Sequence, residues 1–140
     1  MEFIDIQLIA EWMQEAFSLG KNFSYTPYGD SMLPTLKNGI YTVTFAPCPT
    51  PKVHDIVFYR RPSGKYTLHR IVGKYRGDFM LCGDNEHIIE YPVSAKAIFA
   101  KVVEAKDENG NAVRFHNKQF ARKLWFKKLK LIIKKTFAWI

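Results

Sequence analysis

Cysteine is scarce in this chain of 140 residues. Its two cysteines, Cys48 and Cys82, have neither the CxxC spacing of redox and zinc sites nor the density of a disulfide-stabilised domain. We therefore expect two unpaired thiols in a reducing compartment. The four histidines are not spaced like zinc ligands either. The sequence predicts no metal site and no cofactor.

Long apolar runs are also lacking, since none reaches the ~18–20 residues with which a helix crosses a bilayer. The first residues, M-E-F-I-D-I-Q-L-I-A-E-W-M, include acidic side chains and have no basic segment before an apolar one. A secretory signal has the opposite pattern. We therefore expect a cytoplasmic protein, either soluble or peripheral on the inner face of a membrane.

Acidic side chains are absent from residues 117–140, which contain eight basic ones. Residues 1–116 contain 13 basic and 13 acidic side chains, so the net charge of +8 lies entirely in the C-terminal segment. This neutral body argues against a nucleic-acid surface across the whole protein. The chain is 47% hydrophobic, which is enough for one buried core and excludes a wholly disordered chain.

The periodicity of apolar residues divides the chain into an N-terminal helix (1–22), a β domain (23–116) and a basic C-terminal helix (117–140). Apolar residues at helical spacing in 4–18 predict an amphipathic helix that packs on its own domain or faces a membrane or partner. The β domain contains short runs typical of strands, between turn signals. These runs are 41–45, 55–60, 66–75, 79–82, 97–105 and 112–115, the last expected to return as a hairpin. The sequence predicts a mainly β, partly closed sheet.

The C-terminal segment 118–140 has apolar residues on one side of a predicted helix and lysines on the other. Such a helix can lie in an anionic lipid surface, where each Lys or Arg contributes ~1 kcal/mol. It can also pack its apolar side on the β domain and leave its lysines in water. A role in binding nucleic acid is disfavoured, because large aliphatic residues are interleaved with the lysines.

Ser31 lies in the segment Y-G-D-S-M-L-P-T-L-K-N-G (28–39). Gly29 and Asp30 bend the chain just before it, and Pro34 restricts the residue that precedes the proline. Such a segment can hold one hydroxyl beside backbone N–H groups, as a nucleophilic serine requires. Taken alone, the same residues are also typical of a plain turn with a solvated serine.

A base for this serine is offered by His69, which lies within an alternating run, L-H-R-I-V. A strand positions a histidine better than a loop does, and an imidazole with a pKa near ~6.5 suits a base at neutral pH. The segment C-G-D-N-E-H-I-I-E (82–90) adds Asp84 and Glu90 as carboxylates that could orient the imidazole. Individually, these features also fit a structural histidine and an ordinary turn.

Together and in order, the blocks G-D-S-M-L-P-T-L-K-N-G, P-K-V-H-D-I-V-F-Y, L-H-R-I-V-G and L-C-G-D-N-E resemble the serine peptidase superfamily that includes type I signal peptidases and LexA-like self-cleaving repressors. The resemblance covers roughly residues 26–104. It implies the signal-peptidase/LexA-like β fold, with Ser31 as nucleophile and His69 as general base. His69 followed by Arg70 is similar to the histidine branch, which includes the endoplasmic-reticulum signal peptidases.

Three departures from the family pattern accompany the resemblance. Glu90 stands near the place of the family's aspartate, so we slightly favour Glu90 over Asp84 as the acid that orients the imidazole. Gly29 stands where some relatives add a hydroxyl to the oxyanion hole, which leaves the Ser31 N–H as the evident donor. His54 stands where a glycine is common.

The resemblance implies an extended peptide or protein substrate, bound along strand edges before Ser31 and around 66–70. Gly29, Asp30 and Met32, which flank the serine, are expected to contact it. We expect a serine endopeptidase that cleaves leader or signal-like peptides. The alternative is a LexA-like self-cleaving regulatory module or a catalytically inactive peptide-binding module.

Overall fold

A computed structural model describes residues 5–115 of the chain. Within this range one α-helix is followed by seven strands, with a 3₁₀ turn (Ala95–Ala97) before the last strand. The elements are α1 (Ile6–Ser18), β1 (Phe23–Tyr25), β2 (Thr42–Pro47), β3 (Ile56–Arg60), β4 (Tyr66–Tyr75), β5 (Asp78–Cys82), β6 (Glu90–Val93) and β7 (Ile98–Lys106). The basic helix predicted at 118–140 lies outside the described residues, so its contacts with lipid or with the domain stay a prediction.

The strands form one antiparallel sheet in the order β1-β2-β7-β3-β4-β5-β6. The expected mainly β class with an N-terminal helix is therefore confirmed. The sheet is not closed, because β1 and β6 form its two edges in the described part of the chain. An edge strand presents unpaired backbone groups, and this matters for the candidate site.

Residues 112–115 were expected to return as a strand in a hairpin, and only the start of this segment does so. Ala112 forms an isolated antiparallel bridge with Lys106, and the Val113 N–H donates to the Ala105 carbonyl (2.8 Å), but residues 113–115 form no strand. The turn is closed by the Asp107 carboxylate, which accepts the backbone N–H groups of Asn109 and Asn111, and by the bond from the Asp107 N–H to the Asn111 carbonyl (2.9 Å). The short strands β1 and β6 were not predicted, because three or four residues are too few for an alternating pattern to be recognised.

Helix α1 packs on one face of the sheet. The carboxylate of Asp5 caps its first turn by accepting a hydrogen bond from the Gln7 backbone N–H (3.0 Å). Ile9 and Met13 are buried in one cluster with Phe58 of β3. The helix therefore packs on its own domain, which was one of the two roles considered for it. No helix within residues 5–115 has the length and apolar character needed to cross a membrane.

Strand β3 lies in the middle of the sheet and is buried on both faces. Phe58 belongs to the apolar cluster under α1, whereas Val57 and Tyr59 belong to the cluster on the opposite face. His69 on the neighbouring strand pairs with Val57, so it shares the face of Tyr59. The polar groups of both side chains are buried there and need partners within the protein.

Candidate active site

Ser31 lies in the connection between β1 and β2, which is held together by its own side chains. The side-chain amide oxygen of Asn38 accepts from the Gly29 N–H (2.8 Å), and its NH₂ group donates to Asp30 (3.0 Å). The Leu36 N–H donates to the Met32 carbonyl (2.9 Å). Ser31 is half-buried in this turn. These hydrogen bonds within the segment agree with the turn that the sequence predicts around the serine.

Gly83 brings the serine turn and the histidine strand together. The Asn85 N–H donates to the Ser31 carbonyl (2.8 Å). A Cβ on Gly83 would lie 2.6 Å from the Ser31 carbonyl oxygen and 3.2 Å from His69 Cδ2, so both residues approach the same glycine. The Cδ2 side of the His69 ring, which lies across the ring from Nδ1, is therefore turned toward the serine segment.

The other ring nitrogen of His69 faces Tyr59. The distance from His69 Nδ1 to the Tyr59 hydroxyl is 3.0 Å. The same hydroxyl donates to Glu90 Oε2. Arg61 binds the other oxygen of this carboxylate with its Nε (2.9 Å) and its Nη2 (2.6 Å). Glu90, favoured as the orienting acid, is therefore connected to the imidazole through a tyrosine.

Asp84, the other candidate acid, binds a different set of partners. Arg70 donates to both of its oxygens, from Nε and from Nη2, at 2.9 Å each. The Thr35 hydroxyl donates to the same carboxylate. Asp84 thus links β4, the turn after β5 and the serine segment.

Glu86 is the acidic residue closest to Nε2 of His69, at 3.9 Å. This separation is too long for a hydrogen bond. Its side chain is 41% exposed, so water screens much of its charge. It nevertheless adds a negative charge on the side of the ring where a proton from Ser31 would arrive.

A cavity of about 180 Å³ adjoins Ser31. Gly29 and Met32 line it together with Ser31, and their contact with a substrate stays a prediction. Asp30 does not line it, and its carboxylate instead accepts the hydrogen bond from Asn38. The apolar part of the lining is formed mainly by buried or half-buried side chains. They are Ile6, Tyr25, Met32, Leu36, Val43, Tyr66 and Leu68.

Two departures from the family pattern have a backbone explanation. Gly29 has a φ of 123°, a conformation that L side chains rarely adopt, so a serine or threonine there would be strained. His54 has a φ of 85°, where a glycine would be relaxed. Its carbonyl accepts a hydrogen bond from Arg70 Nη1 (3.0 Å), which links this turn to β4.

Three residues of the site were given no role by the sequence, namely Tyr59, Arg61 and Arg70. A signal existed for Arg70, because an arginine within an apolar strand run needs a buried counter-charge. For Tyr59 the alternation predicts only a face of β3. Its contact with His69 requires that β3 and β4 lie side by side in one particular register, and the sequence pattern does not predict strand order or register.

No family model, curated protein or solved structure matches this chain. The resemblance to the signal-peptidase and LexA-like superfamily therefore rests on the four sequence blocks alone. Within residues 5–115, no group of three His, Cys, Asp or Glu side chains is arranged to hold a metal ion. In the described part of the chain Cys48 and Cys82 form no disulfide bond, and both are buried.

Proposed function

We propose that this protein is a serine endopeptidase in which Ser31 is the nucleophile and His69 the general base. The observation that carries the proposal is the shared approach of Ser31 and His69 to Gly83. Through this glycine the Cδ2 side of a buried imidazole lies next to the serine turn, and since Nδ1 contacts Tyr59, Nε2 is the nitrogen proposed to act on Ser31. A nucleophile, a base and a group that orients the base are the parts that such catalysis requires.

The reaction proceeds in two halves. His69 Nε2 takes the proton of the Ser31 hydroxyl as its oxygen attacks the peptide carbonyl, and the Ser31 backbone N–H binds the resulting oxyanion. The protonated imidazole then gives this proton to the leaving amine as the C–N bond breaks. Water hydrolyses the acyl-enzyme with His69 again as base. Since Gly29 supplies no hydroxyl, and one oxyanion donor is worth ~100–1,000-fold in rate, we expect slow turnover.

The strand edges around the cavity favour a peptide substrate in an extended conformation. β1 is an edge strand, with β2 as its neighbour in the sheet. On β4, Tyr66 and Leu68 pair with β3, whereas the pairs with β5 begin only at Arg70. Tyr25 of β1 and Tyr66 of β4 both line the cavity, so a peptide lying there can form main-chain hydrogen bonds with a strand on either side.

The test is cleavage of a diverse peptide pool by the wild type and by Ser31→Ala and His69→Ala. We expect cleavage by the wild type, and its loss in both variants while their circular dichroism spectra stay native. His87→Ala is the matched control, because this histidine is exposed and makes no described contact with the site. It should keep full activity.

Other outcomes would assign other functions. Cleavage of the protein's own chain, with the peptide pool left intact, would indicate the LexA-like self-cleaving module. A folded wild type that binds peptides without cleaving any would indicate the inactive binding module. Activity that survives Ser31→Ala would overturn the proposal, because the acyl-enzyme needs the oxygen of that side chain.

A further inference from the structure

Tyr59 occupies the position behind the imidazole where a carboxylate was expected, and its hydrogen-bond directions can be worked out. An ionised carboxylate only accepts hydrogen bonds. Arg61 binds Oε1 of Glu90 with two nitrogens, which keeps this carboxylate paired with a positive charge and leaves Oε2 for Tyr59. The single hydroxyl proton of Tyr59 is therefore donated to Glu90.

The hydroxyl oxygen of Tyr59 then has only acceptor capacity for its second neighbour, His69 Nδ1, at 3.0 Å. Nδ1 must therefore be the donor, since two acceptors without a proton between them would repel each other. A neutral imidazole carries one N–H, so Nε2 is left with a lone pair. This is the tautomer in which Nε2 can accept a proton from the serine.

We propose that Tyr59 is a positioning residue that, held by the Glu90–Arg61 pair, fixes His69 in the tautomer with the N–H on Nδ1 and the lone pair on Nε2. This inference rests on the proposed function for its catalytic consequence. During attack the Ser31 proton moves to Nε2 while the Oγ–carbon bond forms. The imidazolium keeps its Nδ1–H bond to Tyr59, and Tyr59 keeps its own proton throughout.

The surroundings of Tyr59 support these hydrogen-bond directions, from His69 to Tyr59 and from Tyr59 to Glu90. Its side chain is fully buried, and His69 is only 1% exposed, so water does not compete for these hydrogen bonds. Burial, reinforced by the neighbouring Glu90 carboxylate, raises the pKa of Tyr59 far above its ordinary value. The hydroxyl therefore stays protonated over the working pH range and cannot become a second negative charge.

The tautomer is tested directly by ¹⁵N NMR of the histidine ring nitrogens in the Ser31→Ala background, where no turnover occurs. We expect a protonated Nδ1 and an unprotonated Nε2 for neutral His69. Tyr59→Phe removes only the hydroxyl and should abolish this preference. An Nε2–H tautomer with Tyr59 present, or identical tautomer populations in Tyr59→Phe, would overturn the inference. This readout does not depend on peptidase activity.

The kinetic test uses Tyr59→Phe in the active protein. We expect kcat to fall ~100–1,000-fold with KM changed less than about threefold, because the hydroxyl orients the base and does not bind the peptide. The acidic limb of the kcat/KM profile should move to lower pH, since the imidazolium loses a hydrogen-bond acceptor. Tyr75→Phe is the control, because Tyr75 is 53% exposed and remote from the cavity, and it should match the wild type.

Glu90→Gln separates a directional role from a merely structural one. Arg61 should hold the amide oxygen, so the amide NH₂ would face Tyr59 and reverse the hydrogen bonds toward His69. We therefore expect a loss of kcat similar to that of Tyr59→Phe and a shift toward the Nε2–H tautomer, although the tyrosine is retained. A fully active Glu90→Gln variant would contradict the proposal. A wild type without any cleavage would instead refute the peptidase function and leave the NMR result valid.

Discussion

Arg70 is a charged side chain that is only 2% exposed, and its partner Asp84 is equally enclosed. A buried ion is tolerated only when it is paired and hydrogen-bonded. The two 2.9 Å bonds to Asp84 and the bond to the His54 carbonyl satisfy the guanidinium on three sides. At the scale of single residues, two sets of contacts hold the candidate site. One is the buried Arg70–Asp84 ion pair. The other is the chain of hydrogen bonds that connects His69, Tyr59 and Glu90.

Asp84→Asn removes the counter-charge of Arg70 and keeps the shape of the side chain. We expect the free energy of unfolding to fall by ~3–5 kcal/mol, because the arginine stays buried without a compensating charge. Denaturation in urea measures this loss. The control is Glu104→Gln, which breaks a half-exposed ion pair with Lys106 and should cost less than ~1 kcal/mol. Equal effects in the two variants would contradict the role assigned to Asp84.

His54→Gly tests the strain in the turn before β3. The left-handed conformation costs a non-glycine residue ~1–2 kcal/mol, part of which glycine offsets by its larger loss of chain entropy. Since φ is 85° at His54, we expect the substitution to raise the free energy of unfolding by ~0.5–1 kcal/mol. Lys52→Gly, at a position without positive φ, should lower it. A destabilised His54→Gly variant would show that its imidazole contributes more than the backbone strain costs.

At the scale of elements, residues of β1 and of the first half of β4 line the same cavity. We expect a bound peptide to pair with them as an additional strand. N-methylation of one backbone amide at an alternate position of the peptide should weaken binding ~5–10-fold, the equivalent of about 1 kcal/mol per lost hydrogen bond.

The measurement is binding to the Ser31→Ala variant, which leaves the peptide intact. Successive amides of an extended peptide point to opposite sides, one set toward β1 and the other toward β4, so methylation of an amide in either set should weaken binding. A uniform weak effect along the peptide would exclude strand addition.

At the scale of the whole molecule, two tyrosines make stability dependent on alkaline pH. Burial raises the pKa of Tyr25, and burial together with Glu90 raises that of Tyr59, in both cases well above the unfolded value near ~10. Below pH ~10 both states keep these protons, so the stabilisation is complete. Above it the unfolded chain loses protons that the folded protein retains, and stability declines as pH rises toward the folded pKa values.

Each tyrosine should steepen this decline by up to ~1.4 kcal/mol per pH unit. Urea denaturation between pH 8 and 11 measures the slope. Tyr59→Phe should give a shallower slope than the wild type, and Tyr25→Phe combined with it a shallower one still. A slope unchanged by both substitutions would show that other groups account for the alkaline loss.

The basic segment 117–140 predicts attachment of the whole protein to an anionic surface. Replacing Lys127, Lys128, Lys134 and Lys135 by glutamine in the full chain should weaken binding to phosphatidylserine vesicles at least tenfold, because each lysine contributes ~1 kcal/mol there. Co-sedimentation measures this, with neutral phosphatidylcholine vesicles as control. Binding to anionic vesicles that is unchanged by these substitutions would exclude the membrane role.

Local sequence patterns were sufficient for the mainly β class, for α1 and for five of the strands, because alternation and helical spacing report which face of each element is buried. They also led to Ser31 and His69 as candidates, because the motif around each is contiguous in the chain, and their catalytic roles stay a proposal. The strand predicted at 112–115 forms only as an isolated bridge at Ala112, after a turn closed by the Asp107 side chain and by backbone hydrogen bonds. A four-residue alternating run does not determine how far such strand pairing continues.

Only the tertiary structure decided which of the two acids is linked to His69 by hydrogen bonds. Glu90 and Asp84 lie in the same short segment that follows His69 in the chain. In the structure Glu90 is linked to His69 through Tyr59, whereas Asp84 is bound to Arg70. The physical reason is that hydrogen bonds of 3 Å depend on strand order and register, which bring together residues distant in sequence. Periodicity along one strand determines which way a side chain faces, whereas its partner is determined by the strand that lies beside it.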